Sequence, residues 1–382
     1  MSLTLAALPA HHGDALLLSA GSTCVLIDGG PSGVWRRALS PALTGLGRGG
    51  PALIDLLMVS HIDADHITGI LELTDKLIED RQSGRPAVAR VREAWFNGFT
   101  DALALAGPDA ARTGSTAAAL SSSASPLAGL LPGGTDSRFV LSSVAQGRRL
   151  TDALAALAIP RNHGFTDGLA LADSRDTDWS CGPLTLRILG PDRAALEALR
   201  REWARHLPKI LARETARQAR AEALASLDRS VFNLSSIVAV AEAGGRRALL
   251  TGDARGDMIL DGLTAAGFSG PDLHFDILKM PHHGSDRNIT EEFLSRVTAD
   301  HYLVSGDGKH GNPEPGMFEM LFAARRGTRF TLHLTYPLAT IRAHRDYAAE
   351  DRGKRLAEAL TKAPAGCVIE PTDTATGALI EL

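Results

Sequence analysis

Four residues able to ligate a metal ion or move a proton fall within six positions of this chain, His61-Ile-Asp63-Ala-Asp65-His66. Imidazole and carboxylate are the ligands of zinc and manganese sites, and two of each suit a pair of divalent ions. Capping of a helix that starts near His66 accounts for one aspartate and for neither histidine. Two later clusters repeat the chemistry, Thr251-Gly-Asp253-Ala and Lys279-Met-Pro-His282-His283-Gly-Ser285. Alone, Asp253 reads as a turn residue after an apolar strand. In this company its two oxygens suit a carboxylate that bridges two ions. Adjacent histidines at a strand end point in different directions, so one ligates while its neighbour gives a proton to a leaving group, and either can take either part. Gly13-Asp14 and Asp28-Gly-Gly30 read as turn punctuation, with Asp28 also able to orient a ligand histidine from behind.

The elements that must position these residues are short apolar strands. Runs at 15–19, 23–27 and 52–59 are bounded by turn residues and read as buried strands. After His66 the apolar residues take a helical period (Ile67, Ile70, Leu71, Leu73, Leu77, Ile78), which predicts that the first cluster sits at a strand-to-helix turn. Strand patterns return at 184–189, 236–240, 248–251, 275–280, 301–305 and 329–334, with helices predicted at 291–297 and 314–325. The alternation predicts an α/β protein with two strand-rich halves, 1–100 and 184–340. Residues 101–137 are rich in Ala, Ser and Gly without a period, and 191–229 read as a helical stretch with nine Lys/Arg against six acidic residues. Both read as insertions, the second as a solvated helical pair rather than a polyanion-binding arm.

Composition narrows the classes. The 382 residues are 44% hydrophobic and 22% charged, which excludes disordered and fibrous chains. A balance of 40 Lys+Arg against 44 Asp+Glu gives a net charge of −4, so any polyanion site must be local. Three scattered cysteines fit neither a disulfide framework nor a cysteine zinc module, and point to a reducing compartment. No stretch approaches 18 uninterrupted apolar residues and no basic leader precedes the first apolar run; the expectation is a cytoplasmic protein with no membrane partner.

In their order along the chain, His61-x-Asp63-x-Asp65-His66, Thr251-Gly-Asp253-Ala and Pro281-His-His-Gly-Ser285 resemble the metallo-β-lactamase superfamily, most nearly the hydrolase domain of DNA-uptake competence proteins and its stand-alone bacterial relatives. Gly13-Asp14-Ala15, Leu26-Ile-Asp28-Gly-Gly30, Asn233-Leu-Ser-Ser236 and Gly311-Asn-Pro313 fit the same pattern. The resemblance implies a four-layer αββα sandwich with helical insertions, and residues 1–382 as one such domain with a C-terminal extension from about 340. It implies His61 and Asp63 for a first ion, Asp65 and His66 for a second, Asp253 between them and His282 as a further ligand. One or two divalent ions are expected, Zn²⁺ before Mn²⁺. Two positions depart from the pattern. Where another histidine is usual, the best-placed residue is Asn97, with His163 as a loop alternative, and the last ligand position holds Asn312.

The expected chemistry is metal-assisted hydrolysis by a metal-bound hydroxide, with Asp63 or Asp65 orienting the water and His282 or His283 protonating the leaving oxygen. The resemblance makes a phosphodiester the leading substrate class and nucleic acid the leading partner, with Lys279, Lys309 and the arginines of 193–220 as local positive charge. The alternatives are hydrolysis of a small ester, lactone, thioester or cyclic nucleotide, and a metal-binding or interaction protein without turnover.

Overall fold

A computed structural model of the chain describes residues 2–98, 135–174, 178–198, 201, 235–270, 273–348 and 351–382. Most of the two expected insertions, 101–134 and 202–229, lies outside the described residues.

The N-terminal half supplies β1 (Leu3–Ala7), β2 (Leu16–Ala20), β3 (Thr23–Ile27), α1 (Ser40–Gly47), β4 (Ala52–Ile54), β5 (Leu56–Val59), α2 (Ala64–Ser83), β6 (Ala89–Val91), β7 (Ala94–Phe96) and α3 (Thr135–Ala156). The C-terminal half supplies β8 (Trp179–Cys181), β9 (Leu184–Gly190), β10 (Val238–Ala243), β11 (Arg246–Leu250), α4 (Gly256–Ala265), β12 (Leu273–Lys279), α5 (Glu291–Arg296), β13 (Val297–Val304), α6 (Pro315–Ala324), β14 (Phe330–Leu334), α7 (Arg352–Thr361), β15 (Cys367–Ile369) and β16 (Ala378–Glu381). One sheet has the order β16-β1-β2-β3-β5-β7 and the other β15-β14-β13-β12-β11-β10-β9-β8; β4 and β6 form a separate pair.

The division of neighbouring apolar side chains between opposite faces of a strand explains the layers. In β5, Leu56 and Met58 join a core shared by both sheets, while Leu57 and Val59 join one shared with Ile67, Ile70 and Leu71 of α2. In β12, Ile277 faces the first sheet, whereas Phe275 and Leu278 pack with Phe293 of α5 and Phe318 of α6. Both faces of each sheet are therefore covered, which is why the strands read as unbroken hydrophobic runs. The result is the expected αββα sandwich.

Several elements differ from expectation. The run 52–59 is two strands, because Asp55 turns its carboxylate to the Cys24 amide (3.0 Å) and to Arg92 (2.8 Å), sending 52–54 to β6 and 56–59 to β3. β1 was not expected, and it pairs antiparallel with β16, so the stretch beyond 340 contributes strands to both sheets through β15 and β16.

Helix α2 carries the first cluster and is held to the Asp28-Gly-Gly30 turn by backbone contacts. Gly29 N donates to His66 O (2.7 Å) and Gly69 N to Gly30 O (2.9 Å). A Cβ at Gly69 would stand 1.9 Å from Gly29 O. The helix buries Ile67, Ile70, Leu71 and Leu73 almost completely, each contributing roughly 1.5–3 kcal/mol. Gly69→Ala is therefore expected to push α2 off this turn and cost roughly 1–3 kcal/mol, the usual range for overpacking. Chemical denaturation of the two proteins checks this; equal midpoints would refute the close approach.

Candidate metal centre

The clusters meet at one edge of the sandwich, where strands end. β3 runs into Asp28, β5 into Ser60 and His61, β11 into Thr251-Gly-Asp253, β12 into His282 and His283, and β13 into Ser305. Parallel pairing of β3 with β5, and of β11, β12 and β13, brings these carboxyl ends to the same side. Asp14 enters from the turn before antiparallel β2 and donates its amide to Asp65 O (3.3 Å). Asp28, His282 and His283 have left-handed backbones (φ 58°, 46° and 53°), a conformation that L-residues adopt at a cost and that collects at functional sites.

The two oxygens of Asp253 face two different groups. Around Oδ2 stand His61 Nε2 at 3.7 Å and His282 Nε2 at 3.6 Å, and His61 Nε2 is 3.7 Å from Asp63 Oδ2. Around Oδ1 stand His66 Nε2 at 3.4 Å and His283 Nε2 at 3.5 Å, and His283 Nε2 is 3.8 Å from Asp65 Oδ2. Ligands ~2.1 Å from a shared tetrahedral ion stand about 3.4 Å apart, so these separations are those of ligands waiting for one.

Each histidine is oriented by its other nitrogen. Nδ1 of His66 lies 2.8 Å from Asp28 Oδ2, that of His283 2.9 Å from Ser305 Oγ, and that of His282 2.9 Å from Asn288 Oδ1. Ser60 Oγ donates to Asp28 Oδ2 (2.7 Å), so it accepts from His61 Nδ1 at 3.1 Å. For His61 and His282 this leaves the Nε2 lone pair directed at the centre. Asn288 also donates to Asp253 O (3.2 Å), which fixes the direction of its amide.

His61 Nε2 and Asp253 Oδ1 are buried and without a hydrogen-bond partner. A desolvated polar atom left unpaired is costly. Two orphaned electron-pair donors at the meeting point of four imidazoles and three carboxylates fit one or two divalent cations. His61, Asp63, His282 and Asp253 Oδ2 would hold one, and His66, His283, Asp65 and Asp253 Oδ1 the other.

Asp14, His66, Asp253 and His283 also lie together, with ligand atoms within 4.8 Å of one another. Asp14, however, is paired with Lys279, its Oδ2 2.5 Å from Nζ, and its Oδ1 approaches the Nδ1 side of His283 (3.6 Å). It lies behind the imidazoles and neutralises an ammonium. Burial raises the cost of its charge, yet Lys279 and His283 hold its pKa far below the usual carboxylate range. Lys279, expected to offer charge to a polyanion, is 1% exposed and also donates to Gly252 O (3.0 Å); it is an internal counterion.

The remaining expected residues are placed as follows. Both ends of the Asn97 amide are engaged with the backbone of Ala170 (2.9 and 2.8 Å), which occupies the atoms a metal would need. His163 is exposed in a turn. Asn312 donates to His282 O (3.4 Å) and so supports that loop. Ser60, Asn288 and Ser305 escaped the sequence reading, Ser60 although it adjoins His61, and Asp14, read as turn punctuation within Gly13-Asp14-Ala15, proves to be a buried counterion of Lys279.

Without a metal, the charge of Asp253 falls on the imidazoles. Burial opposes ionisation of Asp253, but His283, His66, His282 and His61 keep its pKa well below normal. Burial lowers His61 to about 3. For His66 burial acts the same way, yet Asp253 and Asp28 overcome it and raise its pKa well above that of an ordinary histidine. Its Nε2 is 3.2 Å from His283 Nε2, the spacing of a shared proton. That proton must leave before His66 can ligate. Below the raised pKa, metal affinity is thus expected to increase with pH, about tenfold per unit for one proton. Calorimetric titration of the metal-free protein in buffers of different ionisation enthalpy should show proton release on Zn²⁺ binding; heats independent of buffer would refute it.

Among solved structures, the metallo-beta-lactamase fold protein YhfI from Bacillus subtilis is similar to this chain, with 12% identity over 100% of both chains and a TM-score of 0.38. No curated protein matches the sequence. The family model of the metallo-beta-lactamase superfamily matches residues 8–116. That stretch, which contains His61, Asp63, Asp65 and His66, is thus similar to the metallo-beta-lactamase superfamily.

Proposed function

We propose that this chain is a metal-dependent hydrolase of phosphodiesters. The observation that carries the reading is the division of Asp253 between two histidine and aspartate groups, with orphaned donor atoms where they meet. Bound there, divalent ions supply Lewis-acid polarisation of a substrate oxygen and acidify water, so no serine or cysteine nucleophile is required. Zn²⁺ is the first choice, and the carboxylate-rich set also suits Mn²⁺. On this reading residues 1–382 act as one catalytic domain, since its ligands span positions 61 to 283.

The chain's own groups divide the remaining work. The side chains of His61, His66, His283 and Asp253 are at most 3% exposed, so they hold and shield. Those of Asp63 (18%), Asp65 (25%) and His282 (18%) reach solvent. Asp63 and Asp65 therefore orient the attacking water and accept its proton. His282 and His283 were expected to divide ligation and proton donation between them. Both turn Nε2 toward Asp253 and anchor Nδ1, so both act as ligands, and the leaving oxygen takes its proton from the solvent side, where the aspartates stand.

Likeness to the competence branch supports a phosphodiester, with nucleic acid as the polymeric form. A neighbouring cavity of about 550 Å³, within the range that holds small ligands, supports a second reading, a small ester, lactone, thioester or cyclic nucleotide. Purified protein loaded with Zn²⁺ or Mn²⁺ is expected to cleave single- or double-stranded DNA or a chromogenic phosphodiester. Asp253→Asn should fall to the level of metal-free protein. Cleavage of carboxylic esters without phosphodiesters would promote the second reading. Fewer than about half an ion per chain after metal loading would defeat both and leave a protein without turnover.

A further inference from the structure

Beside the metal centre, the same loops build a cavity whose chemistry the cluster does not use. Its lining includes His11, His12, Thr68, Gln146, Lys309 and His344. It shares walls with the centre: Ala64, between Asp63 and Asp65, also lines it, His12 is two residues from Asp14, and Lys309 follows Ser305 on the loop after β13.

Lys309 is the cationic side chain of this lining. Lys76, Lys279 and Lys362 each hold a carboxylate. The Nζ of Lys309 instead lies 3.2 Å from His12 Nε2. An ammonium has only hydrogens to give, so Nε2 accepts, and the neutral His12 ring carries its hydrogen on Nδ1. That Nδ1 is buried with no partner. The carboxylate in the lining, Asp307, is already engaged, with Oδ2 3.3 Å from His11 Nδ1 and Oδ1 accepting from the Lys309 amide (3.0 Å). His12 thus aims an ammonium without consuming its charge, and the His310 ring packs edge-on against it at 5.3 Å. Thr68 and Gln146, hydrogen-bonded to each other at 3.3 Å, add polar atoms to the wall.

A full positive charge backed by an uncharged donor ring, in a space of about 550 Å³ at the edge of a hydrolytic centre, suits an anionic group that is part of the substrate but is not cleaved. We propose that this cavity binds a non-reacting phosphate of the substrate, with Lys309 as its charged contact and His12 as the residue that positions Lys309. The inference rests on the phosphodiester reading and narrows it to substrates that carry a second phosphate beside the scissile one, whether along a nucleic acid or on a small molecule.

Inorganic phosphate is the probe, titrated calorimetrically into the full-length protein. The wild type is expected to bind it, Lys309→Ala to weaken binding about tenfold or more, and Lys309→Arg to keep most of it. Asp253→Asn, which disables the metal centre, should still bind phosphate. Metal content and circular dichroism identify any variant that has lost its fold, and Lys309→Arg keeps the question open to test if Lys309→Ala has. No binding by the wild type, equal affinity in Lys309→Ala, or loss of binding in Asp253→Asn alone would each overturn the proposal, the last by placing the phosphate on the metals. In kinetics, Lys309→Ala should raise KM for a substrate with a second phosphate and leave KM unchanged for one without it; an equal change for both substrates would also overturn it. Lys309-dependent phosphate binding in a protein that cleaves no phosphodiester would uphold the anion site while the reaction assigned above fails.

Discussion

Asp253 carries its charge into a site where its own side chain is 3% exposed, and the arrangement around it follows from how that charge is met. Buried carboxylates must be paired, hydrogen-bonded or neutralised. The molecule uses a different solution for each of three deep ones at this edge of the sandwich. Asp14 takes the Lys279 ammonium. Asp28 takes the Ser60 amide and hydroxyl, both at 2.7 Å, with His66 behind. Asp253 has imidazoles near both oxygens and a lysine no nearer than 4.0 Å. Only the last leaves a demand for positive charge unmet inside the protein.

The scaffold is organised to hold that demand in place. Strand ends deliver the ligands, left-handed residues turn them inward, and polar side chains one step further out lock each ring by Nδ1. Two glycines let α2 sit against the Asp28 turn, so the helix that presents Asp65 and His66 is fixed relative to the residue that orients His66. Ordering the ligands before an ion arrives removes an entropic cost that a flexible site would bear on binding.

Much of this was legible in the sequence because the ligands cluster locally. His61 to His66 share one strand-to-helix turn, and His282-His283 and Asp253 each follow an apolar strand, so residue type and spacing were enough. The αββα layering was legible for a related reason, since strands covered on both faces read as unbroken apolar runs. What escaped depends on long-range pairing. Asp14 resembled turn punctuation because its partner Lys279 lies in the other half of the chain. Asn288 and Ser305 orient ligands through single hydrogen bonds that leave no spacing pattern. Asn97 looked like a substituted ligand at a strand end, and only the backbone of Ala170 shows that its amide is occupied. β1 and β16 were missed because neither is long or apolar enough to stand out without the other.

The β1–β16 pairing also bears on how the chain is assembled. Thr4 is in register with Glu381, and Leu382 N donates to Leu3 O (3.0 Å). The outer edge of β1 thus waits for β16, far along the chain, before it is covered. Contacts of such sequence separation form late and slowly. Until β16 pairs with it, β1 presents an open row of backbone donors and acceptors, the kind of edge on which stray strands add. The polar residues Thr4 and Ser19, facing each other across β1 and β2, stand among the apolar residues of that edge during the interval.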